Sequence, residues 1–326
     1  MAEKLTDVSV TVVMVNYNCT VFIDGVMNSL RRQTFRGFDV IVYDNGSTDG
    51  SVEYIRANYP ECRVVELGWN TGFAHPNNLG IKESKTKYVL ALNMDVVLED
   101  DFLEKLVDAI SSRPGVGWVA PGMNRLMGGN KTDLIDRYGH HMQKNRKTGH
   151  DSSKPVRPAA YDRREEVFGA SGCAALYKRE MLEDIAFEGE YFDEDFFAYY
   201  EDIDLDWRAQ RAGWKCLLVP DALGYHAGGG SGLRKERSIA ACELTNRLFM
   251  LIKDEFAAHF LQDIVPIART TRSDWVRFYR MDHGIIYTAL RRFFRLLPRM
   301  LAKRSYIRKN TRVSADYIRG LIRHPG

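Results

Sequence analysis

The chain has few cysteines and no long apolar run. These two features exclude a disulfide-rich or zinc-knuckle protein and a protein that spans a membrane. Its 326 residues include five cysteines. None of them forms a Cys-x-x-Cys pair, so neither a zinc knuckle nor a disulfide framework is indicated. No segment approaches the roughly 18 to 20 apolar residues that cross a bilayer, and residues 1–10 lack the apolar core of a secretory signal. We therefore expect a cytoplasmic protein that does not cross a membrane.

Acidic residues are scarce near the C-terminal end, although the overall composition is ordinary. With 45% hydrophobic and 27% charged residues and a net charge of +3, the chain is typical of a globular protein. Residues 266–326, however, contain fifteen lysines and arginines against three acids. Such a region requires an anionic partner or surface. No nucleic-acid recognition module is evident, so we do not expect nucleic acid to be that partner.

Apolar runs alternate with helical patterns in the N-terminal part of the chain. Residues 8–16, 38–44 and 87–95 are nearly continuous apolar runs, typical of buried parallel strands. Residues 22–33 and 48–59 have apolar side chains at helical spacing. This alternation predicts an α/β fold with a mostly parallel, doubly wound sheet and helices on both faces.

The later segments have more varied patterns. Residues 127–165 show no periodicity and predict a long surface loop. Residues 201–213 predict a helix, 214–220 a last strand and 225–232 a flexible glycine loop. Beyond about residue 235 the pattern is helical.

A basic amphipathic helix is predicted over residues 284–302. Apolar side chains recur on one face, and four arginines occupy the other. Such a helix can lie in a lipid interface, or it can pack on the rest of the protein with a solvated arginine face. Pro298 should kink it near its middle.

The second predicted strand ends in a polar turn. Asp44 opens the segment DNGSTDGS, whose residues tolerate positive φ or cap helices. A carboxylate there can accept a hydrogen bond from a nucleotide base or a ribose hydroxyl, and Ser47 and Thr48 supply donors. A strand followed by such a turn is common. The segment is therefore evidence for a nucleotide site only in combination with the other polar segments of the chain.

Asn93 and Asp95 lie at the exit of the third predicted strand. Their i, i+2 spacing allows both side chains to point to one side. Mg²⁺ and Mn²⁺ in diphosphate sites are bound by one or two carboxylates plus phosphate oxygens. An amide and a carboxylate make a weaker set than two carboxylates. His226 is the candidate for a further ligand, although a histidine there can equally be structural.

Glu201 and Asp202 open a predicted helix that also contains Asp204 and Asp206. The helix dipole explains any one of these acids, since an acid in the first turn contributes about 0.3–1 kcal/mol. Apolar surface also crowds them, from Phe192, Phe196, Phe197, Tyr199 and Tyr200. Acids against apolar walls are typical of sites where a carboxylate acts as a base.

Six segments in this order resemble the inverting glycosyltransferases of family two, which have the GT-A fold, and especially their bacterial rhamnosyltransferase branch. They are VVMVNYN, VYDNGSTDGS, GWNTGFAHPNN, LNMD, FFAYYEDIDLDWRAQRAGWK and YHAGGGSG, within residues 8–232. Asn93 departs from the family's usual pair of aspartates. The resemblance implies a catalytic domain over residues 1–235. Residues 236–326 are then a basic helical region for a membrane surface, for packing or for an oligomer contact.

The resemblance also implies roles for individual residues. Asp202 would be the general base, with Glu201 as an acceptor or orienting group. Asp95 and His226 would bind Mn²⁺ or Mg²⁺. The nucleotide sugar would be bound by Asn16, Asn18, Asp44, Asn45, Ser47, Asn70, Phe73, Asn78 and Asn93.

The function implied is an inverting, metal-dependent glycosyl transfer. The expected donor is dTDP-L-rhamnose, and the acceptor is a cell-surface glycan or a polyprenyl-diphosphate-linked saccharide. Peripheral attachment to the inner face of the cytoplasmic membrane fits the basic C-terminal region. Transfer of galactofuranose or N-acetylhexosamine is an alternative.

Two other classes stay open. A sugar nucleotidyltransferase would normally show a glycine-rich, basic phosphate loop after the first strand, and NYNCTVFIDG has none. A non-catalytic carbohydrate-binding or scaffold protein would not need the pair Glu201 and Asp202.

Overall fold

One large sheet forms the centre of the molecule. The computed structural model describes residues 9–149, 163–228 and 236–322. Its strands are β1 (Val10–Asn16), β2 (Phe38–Asp44), β3 (Arg63–Glu66), β4 (Tyr88–Asn93), β5 (Val96–Leu98), β6 (Val116–Met127), β7 (Asn130–Tyr138), β8 (Glu166–Val167), β9 (Ala174–Lys178) and β10 (Lys215–His226). Their order is β3-β2-β1-β4-β9-β6-β10-β5, with β7 beside β6 and β8 beside β10.

Helices cover both faces of this sheet. They are α1 (Ile23–Arg31), α2 (Ser51–Asn58), α3 (Ala74–Glu83), α4 (Phe102–Ser112), α5 (Arg179–Ile185), α6 (Glu201–Arg211), α7 (Arg237–Asp254), α8 (Ala257–Gln262), α9 (Ile264–Met281), α10 (His283–Lys309) and α11 (Ala315–Leu321). Strand β1 shows why two layers form. Val12 and Met14 pack into one core with α1 and α4, whereas Val13 packs into a second core with α3 and α5. Alternate side chains of a strand point to opposite faces, so an uninterrupted apolar strand must be covered twice.

The predicted parallel strands are confirmed, and their register places the polar strand ends together. β1 pairs in parallel with β2 and with β4, so that Asn16 lies beside Asp44 and Val15 beside Asn93. The sheet becomes mixed at β9, which is antiparallel to both β4 and β6. The parallel half therefore presents its carboxyl ends at one edge.

The prediction of a long surface loop over residues 127–165 is wrong for its first part. Residues Asn130–Tyr138 form β7, which pairs with β6 through a turn at Gly128 and Gly129. Both glycines have positive φ, which allows the tight reversal. The segment beyond β7 is also buried, at His140, Met142 and Arg146. Its inward side chains are largely polar, so it lacks an apolar period; residues 150–162 of the prediction lie outside the described residues.

The glycine loop predicted at 225–232 begins later than expected. Tyr225 and His226 belong to β10, which continues well past residue 220. Residues 229–232 lie outside the described part of the chain.

The C-terminal helices pack on the sheet domain along one face and expose the other. Leu296 and Met300 of α10 share a core with Phe196 and Trp207. Pro298 does not end the helix, which continues to Lys309. Within the described ranges, no helix combines the length and apolarity that a bilayer-spanning segment requires.

Candidate active site

An open cavity of about 1030 Å³ lies at the carboxyl edge of the parallel strands. Its walls come from the exits of β1 and β4, from β6 and β7, from the start of α6 and from α7. Eight of the residues predicted for the site line it, namely Asn45, Asn70, Phe73, Asn93, Asp95, Glu201, Asp202 and His226. The structure thus brings together in one cavity the residues predicted for the metal and for the base, and some of those predicted to bind the donor.

Asp44 lies behind this wall, buried and hydrogen-bonded within the protein. Its Oδ1 accepts from the Asn16 side chain at 2.7 Å and from the Ser47 hydroxyl at 2.5 Å. Its Oδ2 accepts from the backbone amides of Gly46 and Ser47 at 3.0 Å. Asn16 is itself fully buried and also donates to the Ser51 hydroxyl at 2.7 Å. Asn16, Asp44 and Ser47 therefore shape the polar turn and do not line the cavity.

Asn18 and Asn78 also lie outside the cavity lining. Asn18 is exposed at φ 52°, and its Oδ1 accepts from the Thr48 amide at 2.8 Å. Asn78 is buried. Its Nδ2 donates to the Phe192 carbonyl and its Oδ1 accepts from the Phe192 amide, both at 2.8 Å. Asn78 Nδ2 also donates to Glu194 at 3.0 Å. This side chain ties α3 to the segment before α6.

Asn45 connects the exit of β2 to the loop that carries Asn70 and Phe73. Its Nδ2 donates to the Gly72 carbonyl at 2.8 Å, and its Oδ1 accepts from the Thr71 hydroxyl at 2.8 Å. Asn70 Oδ1 accepts from the Gly72 amide at 2.9 Å. The polar loop is therefore held against the strand end.

Asp95 and His226 face each other at the centre of the edge. His226 Nε2 lies 3.3 Å from Asp95 Oδ1, and its Nδ1 lies 2.8 Å from Asp136 Oδ2. Burial acts to lower the pKa of His226, but the nearby Cys173 and the carboxylates of Asp136 and Asp95 raise it to about 11. A cation at Nε2 would replace that proton, so its binding would depend on pH.

This arrangement fits a divalent cation that takes its remaining ligands from a substrate. Two ligands of an octahedral ion with bonds of about 2.1 Å lie about 3 Å apart, close to the observed spacing. Asp136 is placed as the outer carboxylate that orients a ligating imidazole. Among the described residues, no group of three His, Cys, Asp or Glu side chains makes a complete metal site. Substrate oxygens would have to complete the shell.

Glu201 and Asp202 differ in environment although they are adjacent at the start of α6. Burial, with the neighbouring charge of Asp202, raises the pKa of Glu201 well above its usual range. Its buried Oε2 has no hydrogen-bond partner in the described structure. Asp202 is partly accessible, and its Oδ2 accepts from the Gly172 amide at 3.0 Å. The cavity therefore contains a buried carboxyl whose Oε2 is unpaired beside a more accessible carboxyl that accepts a hydrogen bond.

The turn that delivers these acids is strained. Phe197, Tyr199 and Tyr200 all have φ between 65° and 70°, at about 1–3 kcal/mol each for non-glycine residues. Asn246 of α7 donates to the carbonyls of Phe196, Ala198 and Tyr199 at 2.7–2.9 Å. The turn thus depends on the C-terminal region.

The same turn contacts the loop that carries Asn70 and Phe73. The Phe73 amide donates to the Phe197 carbonyl at 2.6 Å. A Cβ on Gly72 would lie 2.3 Å from that carbonyl oxygen, and Gly72 has φ 85°. Glycine is therefore required where the two loops meet.

Sequence reasoning missed the residues that β7, its following segment and α7 contribute. Asp136, Arg137, His140, Lys147 and Glu243 all line the cavity. Their segments lack a motif, and no signal in a single sequence distinguishes them from surface charges.

Comparison with known proteins agrees with this architecture. The model of the family Glycosyl transferase family 2 matches residues 11–186. The chain is 26% identical over 269 residues to the N-acetylglucosaminyl-diphospho-decaprenol L-rhamnosyltransferase of Mycobacterium tuberculosis, covering 76% of this chain and 85% of that protein.

Two solved structures share the fold. The mannosyltransferase PcManGT from Pyrobaculum calidifontis, solved with GDP-Man and Mn²⁺, has a TM-score of 0.56 at 19% identity and covers 95% of this chain and 88% of its own. GalNAc-T7, solved with UDP, GalNAc and Mn²⁺, has a TM-score of 0.59 at 16% identity, over 76% of this chain and 48% of its own. The predicted GT-A fold is confirmed. The chain belongs to glycosyl transferase family 2 and is a glycosyltransferase.

Proposed function

We propose that the protein is an inverting, metal-dependent rhamnosyltransferase that moves L-rhamnose from dTDP-L-rhamnose to a polyprenyl-diphosphate-linked saccharide. One observation carries this proposal. The same cavity contains the Asp95–His226 pair at the sheet edge and the Glu201–Asp202 pair at the start of α6. The first suits a diphosphate leaving group, and the second suits a nucleophilic hydroxyl.

On the donor side, Asp95 and His226 would hold Mn²⁺ or Mg²⁺ against the diphosphate. When bound, the cation supplies Lewis-acid stabilisation of the charge that grows on the leaving group. Asn45, Asn70 and Asn93 would hydrogen-bond the nucleotide sugar from the cavity wall. The turn fixed by Asp44 would hold the base.

On the acceptor side, Asp202 would remove the proton of the attacking hydroxyl. The oxygen then bonds to the anomeric carbon from the face opposite the diphosphate, so the configuration inverts. Burial raises the pKa of Glu201 and so favours its protonated form, which would donate a hydrogen bond that orients the acceptor.

The choice of sugar rests on the mycobacterial relative, which is named for an L-rhamnosyl transfer to a decaprenol-linked acceptor. Galactofuranose and N-acetylhexosamine are the alternative sugars. The family match disfavours a nucleotidyltransferase. The Asp95–His226 and Glu201–Asp202 pairs in one cavity disfavour a non-catalytic scaffold.

The test is a donor screen with a metal control. Thermal shift with dTDP-L-rhamnose, UDP-galactofuranose and UDP-N-acetylglucosamine, each with and without Mn²⁺, should show stabilisation by the dTDP sugar that requires Mn²⁺. Asp95→Ala should lose the Mn²⁺-dependent part because a carboxylate ligand is gone. The preferred donor should then release dTDP only when the lipid-linked acceptor is added. If Mn²⁺ changed the stabilisation of neither the wild type nor Asp95→Ala, the metal assignment would be rejected. If a UDP sugar stabilised the protein more than dTDP-L-rhamnose, rhamnose would be rejected as the donor sugar.

A second part of the proposal places the enzyme on an anionic leaflet. Large apolar side chains are exposed along α9 and α10, with Tyr279 53%, Met281 61%, Tyr287 71% and Phe294 68% exposed. Arg280, Arg291 and Arg295 lie among them in the sequence. Exposed apolar groups interleaved with arginines are typical of a helix in a lipid interface.

This surface borders the cavity. On α9, Arg277 pairs with Glu243 and Asp274 pairs with Lys147, both at 2.8 Å. Glu243 and Lys147 line the cavity. A lipid-linked saccharide held by the leaflet would therefore reach the acceptor side.

The membrane proposal is tested by vesicle sedimentation. The wild type should bind phosphatidylglycerol vesicles more tightly than phosphatidylcholine vesicles. Arg291→Gln with Arg295→Gln should weaken that binding at least tenfold, at about 1 kcal/mol per arginine. Arg56→Gln with Arg63→Gln removes the same charge from the sheet domain and should leave binding unchanged. Equal binding of both double variants would contradict the assigned surface.

A further inference from the structure

A buried histidine lies behind the proposed base and has no part in the scheme above. The His140 side chain is 4% exposed. Its backbone amide donates to the Gly169 carbonyl at 2.6 Å, and its carbonyl accepts from the Phe168 amide at 3.1 Å. The segment after β7 is therefore pinned to the strand edge at this residue.

The His140 imidazole lies between two carboxylates of α6. Its Nδ1 is 2.6 Å from Asp206 Oδ2, and its Nε2 is 3.8 Å from Asp202 Oδ2. The first contact is a hydrogen bond, and the second is a charge contact too long to be one. Residues 202 and 206 are one helical turn apart and so face the same side.

The protein encloses Asp206 closely. The Ala170 amide donates to its Oδ1 at 3.2 Å. A Cβ on Gly169 would lie 1.8 Å from Asp206 Oδ2, so a side chain at that position would expel the carboxylate. This carboxylate is fully buried and does not line the cavity.

The charges favour an imidazolium at this place. Burial acts to lower the pKa of His140, but the hydrogen bond to Asp206 and the charge of Asp202 outweigh burial and raise it. Burial raises the pKa of Asp206 to about 6, although His140 opposes the rise. The protonated ring is therefore favoured at this place, in contact with two acids.

Other ionisable groups interact with His140, Asp202 or Asp206, namely Arg137 on β7, Tyr177 on β9, Cys216 on β10 and Glu201 on α6. Asp204 is a neighbour of Glu201. Burial raises the pKa of the phenol, of the thiol and of the glutamic acid well above their usual ranges, so burial favours the neutral form of all three. The Asp204 carboxylate is paired with Arg208 and Lys253. Arg137 adds a positive charge nearby, and His140 is the basic side chain that contacts both Asp202 and Asp206.

We propose that His140, supported by Asp206, is a positioning residue that keeps Asp202 ionised and aimed at the acceptor hydroxyl. The inference rests on the proposed function, since it gives Asp202 the role of base. In the reaction the acceptor O–H bond breaks, its proton goes to Asp202, and the imidazolium keeps both of its own protons. Without the positive charge, the ionised form of Asp202 becomes less favourable.

The test is the pH profile of kcat/KM for His140→Gln, which keeps a donor but loses the charge. Its acidic limb should move upward by about one pH unit, and activity should recover toward wild type on the alkaline side. Asp206→Asn, which removes the support, should move the limb in the same direction by less. His75→Gln removes a partly exposed histidine 2.9 Å from Glu194 and should leave the limb in place. The inference would be overturned if the acidic limb of His140→Gln coincided with that of the wild type, or if its kcat/KM fell by the same factor at every pH.

A second readout does not need turnover. The imidazole carbon–proton resonance of His140, identified by its absence from His140→Gln, should titrate at higher pH in wild type than in Asp202→Asn or Asp206→Asn. Identical titration in all three would overturn the charge contact. If the wild type transfers no sugar at all, the proposed function fails; if it transfers sugar with the limb unmoved in His140→Gln, only this inference fails.

Discussion

The donor side and the acceptor side of the cavity are built by different means. On the donor side, Asn16 and Asp44 are neighbours in strand register, and amides and hydroxyls hold the turn after β2. On the acceptor side, the acids of α6 are held by charged groups far away in the sequence, such as His140 and Lys253. The donor side can therefore form with its strands, whereas the acceptor side needs the C-terminal helices in place.

The acceptor-side network is dense and buried. Lys253 is paired with Asp193 and Asp204, and Lys303 with Asp193 at 2.5 Å and Asp195 at 2.9 Å. Burial acts to raise the pKa of Asp193, but the two lysines outweigh burial and hold it well below its usual range. Buried ion pairs add little net stability, yet removing one partner leaves a charge uncompensated.

The largest expected effect follows from breaking this network. Lys253→Met should lower the free energy of unfolding by about 3–5 kcal/mol because Asp193 and Asp204 lose a buried partner. Urea denaturation measures the change. Lys215→Met is the matched control, since its 2.8 Å pair with Glu166 is about 40% exposed on both sides and should contribute less than about 1 kcal/mol. Similar losses in the two variants would remove the contrast between buried and exposed pairs.

A smaller effect is expected where α7 holds the strained turn. Asn246→Ala removes the amide group that is shared among one buried and two partly buried carbonyls, and it should cost about 2–3 kcal/mol of stability. It should also lower kcat, because the turn aims Glu201 and Asp202, while donor affinity changes little. Asn58→Ala, which removes an exposed 2.9 Å bond to the Tyr54 carbonyl, is the control for both measurements. If Asn246→Ala weakened donor binding as much as kcat, the division into two sides would not hold.

The contrast also explains what the sequence could predict. The parallel strands, the polar strand exits and the acids of α6 follow from local patterns, since apolar runs and helix starts are visible in a few adjacent residues. Strand β7 could not be recognised because only Ile135 and Tyr138 of its nine residues are buried, which gives no apolar alternation. His140 could not be recognised because its partner Asp206 lies 66 residues away. Asp206 is visible as an acid one turn after Asp202, but the sequence does not show that its partner is His140.

The sequence predicts where the cavity lies better than it predicts which polar side chains line the cavity. Asn16, Asp44 and Asn78 are strand-exit or helix residues of the expected kind, yet their polar groups are used inside the protein. A motif gives the position of a polar side chain along a strand and not the partner that its neighbours offer. The predicted basic helix was ambiguous for the same reason, because its arginine face could be buried or exposed.

The central claim is that Asp202 acts on the acceptor and not on the donor. We expect Asp202→Asn to bind dTDP-L-rhamnose with Mn²⁺ as tightly as wild type, within about twofold, while transfer falls by about 10²- to 10⁴-fold. Calorimetric binding and release of dTDP in the presence of the lipid-linked acceptor measure the two quantities on one preparation. Turnover near the wild-type rate, or loss of donor binding together with transfer, would contradict the account.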